Sequence, residues 1–123
     1  CHPGDFVQRS EEAIDLLRGT HHVGYLFCSP HTFLFDSDPP TTLEYAKELL
    51  THVHIADTHK PKNKDDHQHL IPGLGEIDFE KIFYTLKKIR YEGFVSATPF
   101  THRDKPVAAA IETKKRIEGF LGL

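Results

Sequence analysis

Phe79, Ile82, Phe83, Leu86 and Ile89 recur at steps of three and four, the spacing that stacks side chains on one helical face. Asp78, just ahead of them, is suited to accept from the N–H groups of the first turn. A second apolar set, Ala13, Ile14, Leu16 and Leu17, follows Ser10, Glu11 and Glu12 and stops at Gly19. Ser10 therefore predicts an N-cap and Gly19 a helix end. Pro39-Pro40 announces a helix over 41–50, and Asp104 opens a last one with Val107, Ala110, Ile111 and Ile117 on one side. Between these lie three short apolar runs, 23–28, 52–57 and 93–97, of strand length. In the middle run Val53 and Ile55 take one face and His52 and His54 the other.

Helix, strand, helix, strand, helix, strand, helix is an alternation that predicts an α/β fold of βαβ units around a parallel sheet. The pattern reads as one domain over residues 1–123, with no low-complexity tract and no short repeat. Three strands cannot easily cover their own apolar surface, so further elements from elsewhere are expected against it. Residues 58–76 form a long polar loop, and such loops in compact domains tend to be functional or disordered.

In parallel α/β folds ligands gather at the carboxyl ends of the strands. Cys28 and His31 follow the first strand here, and His54 and Asp57 end the second. His67-Gln68-His69 and Gly73-Leu74-Gly75 lie in the loop leaving that strand. The sequence thus directs four histidines from two neighbouring loops toward one place. Ten histidines in 123 residues is heavy usage, and imidazole is the commonest transition-metal ligand and titrates near neutral pH. A metal site is the first hypothesis. Gly73-x-Gly75 resembles a phosphate-binding turn, but two glycines are a weak signal, and turning the chain into the next helix is the better reading.

Composition narrows the partners. A net charge of −3 with both signs interspersed offers no basic stripe for nucleic acid. No apolar run is long enough to span a bilayer. Cys1 and Cys28 do not make a disulfide framework, so a reducing, cytoplasmic setting is expected. The chain has no methionine and opens on a loop-like Cys1-His2-Pro3-Gly4-Asp5-Phe6, which reads as a piece of a longer protein.

Three segments carry a resemblance: His52-Val53-His54-Ile55-Ala56-Asp57, Gly73-Leu74-Gly75-Glu76-Ile77-Asp78-Phe79, and Tyr91-Glu92-Gly93-Phe94-Val95-Ser96. Together they resemble the xylose-isomerase-like TIM barrels, a superfamily of sugar isomerases and epimerases, inositol-catabolism enzymes and the endonuclease IV group. The subgroup of sugar phosphate isomerases and epimerases is the nearest. The resemblance implies the C-terminal half of a (β/α)8 barrel, from the end of its fifth strand through its eighth helix. A half-barrel that dimerises is the alternative, and oligomeric state is left open.

Residue by residue, the resemblance makes His54 the metal-binding histidine of the seventh strand. Lys60 falls where related epimerases place a substrate-binding arginine. His31 closes their Asp-x-x-His motif, and His67 and His69 match an Asp-x-His that in endonuclease IV relatives binds a further metal. Two departures stand out. Cys28 replaces the family's metal-binding aspartate, and Thr98, in Ser96-Ala97-Thr98-Pro99-Phe100, replaces its strand-eight glutamate. A mechanism of paired glutamates therefore does not transfer, and an imidazole or imidazole–thiolate site favours zinc or another late transition metal over magnesium.

The expected activity is a metal-dependent sugar or polyol isomerase or epimerase of the inositol-breakdown kind. The divalent ion, zinc or manganese, would polarise a carbonyl while His31 or His69 moves the proton. The expected ligands are His54, His31, His67, His69 and Cys28, with Lys60 and His67 toward substrate. His2 and Asp5 are candidates for the site wall. His52 is expected to pack, and His21, His22, His59 and His102 to face solvent. The rivals are an endonuclease IV-like phosphodiesterase, which the acidic balance opposes, and a non-catalytic barrel relative.

Overall fold

The strand signals resolve into three short strands joined by helices in a computed structural model that describes residues 4–36, 38–62 and 67–123. In chain order the elements are α1 (Ser10–Leu17), β1 (Tyr25–Cys28), α2 (Ser29–Phe35), α3 (Pro39–Ala46), β2 (Leu50–Ile55), α4 (Phe79–Lys88), β3 (Val95–Ala97) and α5 (Pro106–Leu121), with a 3-10 turn at Phe100–His102 before the last helix. The sheet runs β1-β2-β3 with both pairs parallel, the α/β arrangement that the alternation predicts. Cys28 pairs with His54, and His54 pairs with Ser96, so these three side chains share one face.

The opposite face carries the core. Phe27, Val53 and Ile55 are fully buried there and pack with Ile14, Leu43, Ala46, Ile82, Phe83 and Leu86 from the helices. α4 follows its apolar stripe as expected. Its Asp78 accepts from the Lys81 N–H at 3.1 Å, and the hydrogen-bonded Lys81 side chain and N–H hold the Asp78 carboxyl below its usual range.

Three expectations about local structure are corrected. Ser10 does not cap α1, because it is drawn inward: its N–H and hydroxyl donate to Asp36, and Tyr25 donates to its oxygen at 2.6 Å. Arg9 takes the cap position, and Glu12 accepts from the Arg9 N–H. The helix placed at 41–50 begins earlier, at Pro39, and ends by Ala46, with Asp38 accepting from the Thr41 N–H. An additional helix, α2, starts where β1 stops; Pro30 lies in its first turn, where a missing N–H costs nothing.

α5 faces the core with Ala109, Thr113, Ile117 and Phe120; of the side first expected, Ile117 packs there, and Val107, Ala110 and Ile111 do not. Val107 and Ile111 are 73% and 66% exposed. Phe94 and Val95, at the start of β3, are also exposed, in keeping with the expectation that three strands leave apolar surface uncovered. A cleft of about 500 Å³ opens between the segment that follows β3 and α5. Among the described residues no helix is long and apolar enough to cross a membrane.

Candidate functional site

Three local features bring the chemistry-bearing side chains to the carboxyl ends of β1 and β2. First, β1 passes directly into α2, so Cys28 and His31 lie one helical turn apart. Ser29 fastens this junction to the end of β2 by donating to the Ala56 carbonyl at 2.7 Å and accepting from the Ala56 N–H at 3.1 Å. Second, the long loop after β2 returns to it: Asp57 and Leu70 exchange backbone hydrogen bonds of 2.8 and 2.7 Å. Third, His69, just before Leu70, is gripped by the loop after β3. Its N–H donates to the Thr101 hydroxyl at 2.9 Å, its carbonyl accepts from the Thr101 N–H at 3.1 Å, and its ring stacks on Phe100.

These restraints place ligand atoms of Cys28, His31 and His69 all within 4.8 Å of one another. The His67 ring lies 5.3 Å from that of His31 and 5.5 Å from that of His69. His69 Nδ1 sits 3.2 Å from the Thr98 carbonyl, which can only accept, so Nδ1 carries a proton in this contact. Burial pushes the Cys28 thiol up, partly countered by the backbone of His31.

His54 is placed differently. Its ring makes an edge contact with His52 at 5.1 Å, and it is not one of the three residues whose ligand atoms cluster. Burial, and then the neighbouring His52, lowers the His54 imidazole below its ordinary value, which favours the neutral ring. His52, expected to pack, is half-buried and within 2.9 Å of the Ser96 hydroxyl. Lys60 is exposed; its Nζ lies 5.9 Å from the Phe33 ring centre, and its N–H donates to Glu76 at 2.7 Å. Asp5 is exposed, and His2 falls outside the described residues. His21, His22 and His59 are exposed as expected, but His102 is half-buried.

Asp57, which the sequence places at a strand end without assigning it a role, anchors the loop beneath the site. Asp57 is fully buried, and its carboxylate accepts from four backbone N–H groups: Thr58 at 2.8 Å, Gly73 at 2.8 Å, Gly75 at 2.8 Å and Ile77 at 3.1 Å. The glycine turn therefore presents its N–H groups to an internal anion, which settles the resemblance to a phosphate loop. The available signal was an aspartate ending an alternating strand ahead of a Gly-x-Gly loop. A β-carbon on Gly75 would stand 2.4 Å from Asp57 Oδ1 and 2.5 Å from the Thr58 carbonyl. Gly75→Ala is expected to destabilise the protein by about 2–3 kcal/mol, as overpacking against backbone does. A denaturant midpoint unmoved by the substitution would contradict this close packing.

Residues 1–118 match the family model described as xylose isomerase-like TIM barrel. The inosose dehydratase of Clostridium perfringens is 32% identical over 95% of this chain and 45% of its own length. A solved structure of IolI protein with a bound zinc atom aligns over 96% of this chain and 45% of that one, with a TM-score of 0.75 and 23% identity. The Escherichia coli 3-keto-D-glucoside 4-epimerase aligns over 76% of this chain and 33% of its own, with a TM-score of 0.62 and 24% identity. At these identities the two structures speak for the fold alone. The chain spans about half the length of the curated relatives it matches.

Proposed function

The chain belongs to the xylose isomerase-like TIM barrel family, its fold is part of a (β/α)8 barrel, and from that premise we propose that it contributes to a divalent-metal-dependent enzyme of sugars or polyols. The proposed reaction moves a proton at a carbon next to a carbonyl. The carrying observation is the gathering of Cys28, His31 and His69, with His67 beside them, at the carboxyl ends of the strands, where barrels of this kind do their chemistry.

The relative named inosose dehydratase supports the substrate class. Epimerisation and loss of water from a polyhydroxy ketone share a first requirement, removal of a proton made acidic by the adjacent carbonyl. The residues present suit a metal ion: their donor atoms already lie within 4.8 Å, and imidazole and thiolate are donors for zinc-class ions. When bound, such an ion supplies Lewis-acid polarisation of the carbonyl. Imidazoles beside the ion supply the proton acceptor and donor, and Lys60 and His67 are assigned to the substrate.

Metal content and turnover on a panel of keto-sugars and inososes test this reading. His69→Ala is expected to lower metal affinity and turnover at least tenfold, and His54→Ala to lower turnover. Unchanged metal content and unchanged turnover in both variants would overturn it.

A further inference from the structure

We infer that Cys28, His31 and His69 form a three-ligand thiolate–imidazole centre, and that the ion it takes is a thiophilic one of the zinc or cobalt class rather than magnesium. The inference rests on the metal-dependent reading above and deepens it by fixing the ligand set. Zinc-to-nitrogen and zinc-to-sulfur bonds of about 2.1 and 2.3 Å imply ligand separations of about 3.4–3.6 Å in a tetrahedron. Donor atoms within 4.8 Å of one another need only a modest contraction to reach that.

Each ligand is held by a separate device. Cys28 is fixed as the last residue of β1, paired with His54 in the ladder. His31 follows at the spacing of one turn in α2, a helix pinned by Ser29 to Ala56. His69 has its backbone clamped by Thr101, and its Nδ1 donates to the Thr98 carbonyl, so Nε2 is the ring atom assigned to the ion. Thr98 thus acts through its backbone, and the carboxylate that the resemblance leads one to expect there is not needed.

Two consequences follow. The set comprises one sulfur and two nitrogens, which Irving–Williams preference and ligand softness direct to late transition metals. The thiol proton leaves to solvent as the sulfur–metal bond forms. His31 and His69 are then committed to the ion, and the proton-carrying role passes to His67 or His54, the imidazoles outside the ligand set.

Cobalt(II) added to the metal-depleted protein provides a test with a readout other than activity. The expected spectrum has an intense near-ultraviolet thiolate-to-cobalt charge-transfer band together with the strong visible bands of a tetrahedral ion. The band is expected to vanish in Cys28→Ser and Cys28→Asp, while Cys28→Asp still binds cobalt. His31→Ala and His69→Ala are expected to weaken cobalt binding at least tenfold, and His54→Ala to keep the band. Cobalt binding without a charge-transfer band in the unmodified protein would overturn this ligand set and leave the metal-dependent reading standing. No cobalt or zinc binding at all would overturn both. Loss of the band in His54→Ala with intact secondary structure would also overturn the set.

Discussion

Alanine in place of Asp57 is expected to destabilise the protein by about 3–5 kcal/mol, a loss typical of stripping one partner from a buried charged network. The carboxylate is fully buried and holds four N–H groups contributed by residues 58, 73, 75 and 77. Hydrogen bonds to a charged acceptor contribute about 1.5–3 kcal/mol each, but burying the charge offsets much of their sum, which is why the net figure is smaller. Asparagine keeps one accepting oxygen and turns an amide N–H toward two donors, so Asp57→Asn is expected to recover little. Urea unfolding reads the change as a lower midpoint at an unchanged slope. The same variant loosens the return of the loop at Leu70, so cobalt affinity is expected to fall with it. A loss under about 1 kcal/mol would mean that water replaces the carboxylate at all four N–H groups.

Phe79→Ala is expected to cost about 3–5 kcal/mol, the range for a large aromatic removed from a packed core. Phe79 is 2% exposed, and its ring stacks on Phe120 at 5.6 Å and tilts against Phe83 at 6.5 Å. It thereby joins the start of α4 to the end of α5. Tyr84, on the same helix but 70% exposed, is the matched control, and Tyr84→Ala is expected to stay within about 0.5 kcal/mol. Equal losses at the two positions in denaturant titration would contradict the assigned face of α4.

That face was legible in the sequence because five apolar residues repeat with one period and nothing competes with it. α5 was not, since Ile117 can be grouped with Val107, Ala110 and Ile111 or with Ala109, Thr113 and Phe120. Only the contact with α4 and the sheet decides between them. α2 was hidden because Ser29-Pro30 looks like a turn until a partner, the end of β2, is found for Ser29. In the site, the convergence of His31, His67 and His69 could be read from strand ends and loop order. That His54 falls outside the cluster of Cys28, His31 and His69 could not, because strand register and loop order do not fix the distances between side-chain donor atoms. Asp57 was the least visible of all. Periodicity describes which way a side chain points, and says nothing of a carboxylate that collects N–H groups from as far as twenty residues along the chain.

The Asp57 knot also closes the loop after β2 on its own strand. Asp57 and Thr58 bond to residues 70–77, and His59 and Lys60 add contacts to Glu76 within the same closure. His69, the neighbour of Leu70, is thereby carried back to the strand ends. The buried carboxylate is in effect a clasp, and the position of a candidate ligand depends on a residue that never touches it.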